Sequence, residues 1–328
     1  MSKVSLIGGS GFVGIRLASR FEKSSIPYII HDINDCDIQG KFKYLDVEDL
    51  SSFESICGSD AIINLAAEHR DDVKPISRYD DVNVQGAINV CTAARKYNIS
   101  KIVFTSSVAI YGFAPADTDE AGKADYFNDY GRTKYMAEQV YKEWQNEDPD
   151  NRTLVIVRPT VIFGEGNRGN VYNLFQQIAS RKFMMLGDGK NIKSMAYVEN
   201  VAAFIEYSLT FKPGLHIYNY IDKPDFDMNT LISHVRKLLF GKVNVGLRLP
   251  AFVGLALGYL ADLTAIIIRK PLPISRIRIK KFMSTTQFAS SIGDSGFVPP
   301  INLEEALAQT LRYEFMEDNS NKRTFKTE

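Results

Sequence analysis

The chain has 328 residues, 45% of them hydrophobic and 24% charged, with a formal net charge of zero. That is a globular balance, long enough for two domains or for one large α/β domain with a cap. A zero net charge provides no global field to attract nucleic acid, and three sparse cysteines (Cys36, Cys57 and Cys91), none at metal-ligand spacing, exclude a disulfide scaffold. They read as buried or half-buried free thiols in a reducing compartment, and no metal site is expected.

The N-terminus MSKVSLIGG meets glycines too soon for a signal-peptide core, so the expected location is the cytoplasm. Val4–Ile7 reads as a first strand. It runs into Gly8-Gly9-Ser10-Gly11-Phe12-Val13-Gly14, and a helical pattern follows over Phe12–Phe21. Glycines between a strand and a helix let backbone approach a pyrophosphate, while the helix N-terminus offers free N–H groups and a positive dipole end. Gly8, Gly11, Phe12, Val13 and Gly14 are therefore candidate cofactor contacts.

Tyr28–Ile30 is a second strand, and Asp32 follows it, about 20 residues beyond the glycines, where a carboxylate accepts from ribose hydroxyls and repels a 2′-phosphate. This favours NAD over NADP, unless a charged His31 beside it tolerates the phosphate. Asp46 and Val47 fall where an adenine contact is expected; an ordinary helix N-cap is the alternative for Asp46.

Ala61–Leu65 and Ile102–Thr105 are further strands around a helical stretch, Asn83–Tyr97. The long helix pattern Tyr130–Trp144 then precedes a strand at Leu154–Val157. Such alternation predicts βαβ units and a doubly wound parallel sheet of Rossmann type. Tyr130 and Lys134, spaced i,i+4, share one helix face. A free phenol titrates near pH 10, and a neighbouring ammonium together with an oxidised nicotinamide ring favours the phenolate, the form a general base needs. Ser106 and Ser107 end the preceding strand, on the carboxyl edge where ligands bind.

The second half is less regular. Gly164–Gly189 is rich in Gly and Asn, with a helix at Val171–Ile178, and Ser194–Leu209 reads as a strand running into a helix. The expected division is a NAD-binding domain over 1–165 with a returning segment at about 194–221, a substrate-binding cap over 166–193 and 222–316, and a flexible polar tail over 317–328. Ala251–Ile268 carries one charge, Asp262, and is followed by Arg269, Lys270, Arg276, Arg278, Lys280 and Lys281. It reads as a buried cap helix with a solvated basic edge or as a helix lying on a membrane surface; a true span is disfavoured by its glycines and Asp262.

Taken together, the glycine loop, Asp32, Leu65-Ala66-Ala67, Asn83, Ser107 and the Tyr130/Lys134 pair resemble the extended short-chain dehydrogenase/reductases, within them the NAD-dependent epimerase/dehydratase family. The resemblance implies that Ala66 and Ala67 line the cofactor path with Leu65, that Asn83 steadies the site, and that Pro159 and Val161 end the strand that meets the nicotinamide. It also implies that Ser107, not Ser106, binds the sugar hydroxyl that Tyr130 deprotonates, while Lys134 holds the nicotinamide ribose. Val108 and Ala109 stand where the family's dehydratases carry acid–base residues, which disfavours elimination of water.

The blocks Ala66–Val73, Arg158–Leu174 and Lys193–Val201 resemble the branch of the family that epimerises undecaprenyl-diphosphate-linked N-acetylhexosamine at C4 for O-antigen assembly. That branch implies a lipid-linked substrate held through Asn170, Asn173 and Lys193, with Arg168, His69, Arg70 and the Arg276–Lys281 run as further candidates. It also implies peripheral contact with the inner face of the cell membrane through about 251–281, and pairing of two copies. Lys193 stands where the nucleotide-sugar enzymes carry Arg. A soluble UDP-sugar 4-epimerase and a sugar or sterol-type NAD(P) reductase are the alternatives.

Overall fold

The apolar runs of the first half bury both faces of their strands, as an interior parallel sheet requires. The computed structural model describes residues 3–36, 38, 40–70, 73–268 and 276–326. Its strands are β1 (Val4–Ile7), β2 (Tyr28–Asp32), β3 (Phe42–Tyr44), β4 (Ala61–Asn64), β5 (Lys101–Thr105), β6 (Thr153–Pro159), β7 (Val161–Phe163), β8 (Met185–Leu186), β9 (Ile192–Tyr197), β10 (Gly214–Tyr220), β11 (Asp222–Asp227) and β12 (Arg248–Leu249). The α-helices are α1 (Phe12–Lys23), α2 (Ser77–Tyr79), α3 (Gly86–Lys96), α4 (Asp129–Asn146), α5 (Asn170–Ala179), α6 (Val198–Ser208), α7 (Met228–Phe240), α8 (Ala251–Ile268), α9 (Arg276–Met283) and α10 (Leu303–Phe315).

Seven strands form one sheet in the order β10-β6-β5-β4-β1-β2-β3, every neighbouring pair parallel. Alternate residues of each strand serve opposite layers. Leu6, Ile63, Val103, Val155 and Val157 pack with Leu17 and Phe21 of α1 and with Val201, Phe204 and Ile205 of α6. Ile7, Ile62, Ile102, Leu154 and Ile156 pack on the other face with Val90 and Cys91 of α3 and with Ala137, Tyr141 and Trp144 of α4. The strand after α6 returns to the sheet, where β10 pairs with β6 over its seven residues.

A third core, of Phe163, Phe175, Ile178, Tyr197, Ile232, Val235, Leu307 and Leu311, lies under the small β11-β9-β7 sheet. Its helices α7 and α10 start on side-chain caps: Asp227 accepts from Thr230 N, and Asn302 accepts from Glu305 N.

The helix expected at Asn83–Tyr97 begins earlier, at Ser77, and winds as a π-helix over Asp80–Gln85 before α3. That wider turn carries the Asp80 ion pair with Arg132 (2.6 Å) and the Asn83 hydrogen bond to Thr133 (2.9 Å). Of the three thiols, Cys36 and Cys91 are buried but Cys57 is exposed, contrary to expectation, because it lies just beyond the 3₁₀ turn Leu50–Ile56 at the surface.

Helix α8 is not a buried cap helix. Phe252, Tyr259, Leu260 and Leu263 are between 57% and 73% exposed. Gly258 lets the α9 backbone close on it: a Cβ there would stand 2.9 Å from Arg276 Cα. Among the described residues no helix is long and apolar enough to cross a membrane. Arg269 and Lys270, and the side chains of Arg278 and Lys281, lie outside the described set.

The polar tail was expected to fray, yet Arg323–Phe325 is docked. The Phe325 N–H donates to Gly166 O (2.8 Å), the Arg168 N–H donates to Phe325 O (2.8 Å), and the Phe325 ring packs 5.7 Å from that of Phe12. One aromatic side chain in an otherwise polar segment supplies the apolar area that holds it.

Candidate active site

The glycine loop leaves β1 beneath the exit of β4. A Cβ on Gly8, whose φ is +73°, would lie 2.5 Å from Ala66 N; one on Gly14 would lie 2.5 Å from Gly9 Cα. Any side chain at either position would break the turn, so the glycines form a cradle of bare backbone beside Leu65-Ala66-Ala67. Gly11 is the N-cap of α1 and provides no side-chain cap, which leaves the first-turn N–H groups of Phe12 and Val13 to a ligand.

Asp32 ends β2. Its Oδ2 accepts from Ser10 N (3.1 Å) and its Oδ1 from Asn34 N (3.0 Å), so the carboxylate is fixed at the rim of the cradle. His31 is wholly buried between Ser5 (3.1 Å) and Ser55 (3.1 Å), and burial takes its imidazole down to about 3. It is neutral and supplies no cation for a 2′-phosphate. Asp46 does not cap a helix; Asp49 does that, while Asp46 Oδ1 accepts from Glu48 N (3.0 Å). Val47 packs against Gly86. Bare backbone, an uncapped helix start and a ribose-height carboxylate fit NAD.

Ser107 follows β5 and caps a 3₁₀ turn, Val108–Tyr111, its Oγ accepting from Ala109 N (3.1 Å). It is also hydrogen-bonded to Tyr130. The Ser106 hydroxyl is buried and finds no partner among the described residues; the geometry thus separates two serines that look alike in sequence. Burial pushes Tyr130 up to about 12, and the Ser107 hydrogen bond is what opposes it.

Lys134 stands one turn further along α4, only 2% exposed, its ammonium 4.5 Å from the Phe104 ring centroid, and burial takes it down to about 7. The i,i+4 spacing sets this ammonium on the helix face of Tyr130, and the Ser107 hydroxyl opposes the effect of burial on the phenol. Asn83 ties the loop after β4 to α4: its Oδ1 accepts from Glu68 N (2.9 Å) and its Nδ2 donates to Thr133 Oγ1 (2.9 Å). His69 is exposed beyond β4, its backbone N–H donating to Glu68 Oε1 (3.1 Å) and its ring Nδ1 lying 3.4 Å from Ala67 O.

Sequence reading missed the support under this pair. Arg158, on β6, donates bidentately to Glu138 of α4 (2.8 and 2.6 Å) and to Tyr111 Oη (2.7 Å), which donates to Asn219 of β10 (2.9 Å). The signal was present: Glu138 lies four residues after Lys134 and eight after Tyr130, on the same helix face.

Pro159 ends β6, and Val161, 40% exposed, begins β7 beside it. The substrate candidates are dispersed. Asn170 opens α5, Asn173 sits in its first turn, and both are exposed. Lys193 lies on β9, lowered to about 8 by burial, with its ammonium donating to Ser284 O (2.6 Å) just beyond α9. Arg168 is ion-paired with Glu314 (2.8 Å) and stacked 4.1 Å from the Tyr172 ring centroid, so its charge secures α10 rather than facing a sugar.

Residues 4–220 match the NAD dependent epimerase/dehydratase family. Over 99% of its length the chain is 45% identical to 99% of the N-acetyl-alpha-D-glucosaminyl-diphospho-ditrans,octacis-undecaprenol 4-epimerase of Escherichia coli O157:H7. Over 95% of its length it is 27% identical to 97% of a sterol-4-alpha-carboxylate 3-dehydrogenase of Candida albicans. Among solved structures, the UDP-N-acetylglucosamine 4-epimerase of Bacillus cereus superimposes with a TM-score of 0.75 at 17% identity, over 95% of this chain and 98% of that one. With the glycine cradle, the Asp32 rim and the Ser107–Tyr130 pair arranged on such a sheet, the chain belongs to the NAD-dependent epimerase/dehydratase family.

Proposed function

We propose that the protein inverts C4 of an N-acetylhexosamine carried on a polyprenyl diphosphate, working at the inner face of the cell membrane. The observation that carries the substrate class is that the likeness to the lipid-diphosphate enzyme runs through the cap as well as the NAD-binding half, over 99% of both chains. The cap supports the reading: α8 presents Phe252, Leu260 and Leu263 outward, with exposed Arg276 and Lys280 on α9 beside them. A polyprenyl diphosphate keeps its chain in the bilayer and its charges at the surface, and each basic residue near anionic lipid adds about 1 kcal/mol to adsorption.

Bound NAD supplies a place for the C4 hydride and a positive ring near the phenol. Tyr130 takes the proton of the sugar 4-hydroxyl and returns it after the 4-keto sugar has turned over. Ser107 holds the sugar oxygen and, through its hydrogen bond, orients the phenol. Lys134 holds the nicotinamide ribose and contributes charge at the edge of its titration. Asn170, Asn173 and Lys193 contact sugar or diphosphate from the cap, which we read as 166–193 and 222–316 beside a NAD-binding domain of 1–165 and 194–221. Two copies pair through α3 and α4, on which Ile88 and Met136 lie exposed.

Offering UDP-N-acetylglucosamine and the undecaprenyl-diphosphate sugar side by side tests the reading. The lipid-linked sugar is expected to be inverted with no net change in reduced-nicotinamide absorbance. Inversion of the UDP-sugar alone would return the protein to the soluble epimerases, and a net absorbance change would make it a reductase.

Membrane contact is checked separately by sedimentation with vesicles containing phosphatidylglycerol at low salt. The unmodified chain should sediment with them, and Leu260→Glu/Leu263→Glu should stay in the supernatant. Equal sedimentation of both would remove α8 from the interface.

A further inference from the structure

We propose that Arg323, from the C-terminal tail, is a cofactor-diphosphate residue, and that Phe325 anchors the strap that brings it to the glycine loop. Arg323 Nη2 donates to the carbonyl of Ser10 (3.1 Å), one residue before the Gly11 that opens α1. The strap is held on both sides. Phe325 exchanges backbone hydrogen bonds with Gly166 and Arg168 and packs on Phe12, while the Arg323 guanidinium lies 5.1 Å from the Phe325 ring centroid.

Charge accounting singles out Arg323. Arg16, also close to the loop, is shared between Glu165 (3.5 Å) and Glu199 (3.2 Å), and Arg168 is paired with Glu314 (2.8 Å). Among the described residues no carboxylate lies within ion-pair distance of Arg323, which is exposed and held at the cradle by a neutral carbonyl. A guanidinium so placed keeps its charge and its remaining donors for an anion, and planar donors match phosphate oxygens. The N–H groups of the α1 start and this side chain then face the same diphosphate from two sides.

This rests on NAD binding at the glycine loop and not on which sugar is inverted, so it is tested without turnover. The full chain, Arg323→Gln and Phe325→Ala are loaded with NAD, and release is followed after mixing with excess 1,N6-etheno-NAD. Arg323→Gln should release NAD about tenfold faster, the loss of one charge-assisted hydrogen bond. Phe325→Ala should change in the same direction, because the strap loses its anchor. Adenosine, which has no phosphate, should bind Arg323→Gln as it binds the unmodified chain. Release from Arg323→Gln at the unmodified rate would overturn the proposal. So would an equal weakening of adenosine, which would make the arginine a mere support of the loop.

Discussion

Tyr130→Phe should lower epimerisation about a thousandfold, the range for losing a positioned general base, while the purified variant keeps its NAD. The phenol is the group in the cluster whose proton can be exchanged with a sugar hydroxyl while its ring stays fixed by α4. Its starting point is unfavourable: burial has taken it to about 12, with Ser107 alone opposing. Bringing it to neutrality requires roughly 7 kcal/mol of differential interaction, more than the ordinary phenol value suggests. A positively charged nicotinamide ring seated beside the phenol would favour the phenolate and offset part of that cost. Substrate inversion by gas chromatography of the released sugar, with NAD content measured in parallel, decides it. A Phe variant with near-normal turnover would remove Tyr130 from the chemistry.

The second large effect concerns stability. Glu138→Gln leaves the Arg158 guanidinium, 5% exposed as a side chain, without its carboxylate. Breaking a buried pair from one side costs about 3–5 kcal/mol, because the remaining charge stays desolvated. Denaturant unfolding should register that loss, and Glu138→Leu/Arg158→Met should recover most of it. A single-variant loss below about 1 kcal/mol, the size of a surface pair, would mean the pair is not desolvated in solution. The same variant has a pH signature. Glu138 raises Lys134 against the burial that takes it to about 7. Without Glu138 the ammonium is lost at lower pH, so the alkaline limb of the activity profile should move to the acid side.

Much of the candidate site was legible because its residues lie on neighbouring elements. A glycine cradle must follow its strand directly, a ribose carboxylate must end the next one, and Tyr130 and Lys134 are one helical turn apart. Both faces of the parallel strands are apolar, so the runs at Val4–Ile7 and Leu154–Val157 announced themselves. The choice of Ser107 over Ser106 rested on the family resemblance; the structure adds that Ser107 caps the 3₁₀ turn while the Ser106 hydroxyl is buried.

Local pattern determined the doubly wound sheet, the glycine cradle and the helix that carries Tyr130 and Lys134, because each depends on spacing along one or two adjacent elements. Only the tertiary structure decided that His31 is neutral, that Lys134 is desolvated over Phe104, that Glu138 is tied to Arg158, that Arg168 is consumed by Glu314, that α8 faces outward, and that the polar tail returns to Ser10. These are properties of groups distant in sequence. Burial and partner charge, which set a side chain's protonation and availability, exist only once such groups have been packed together.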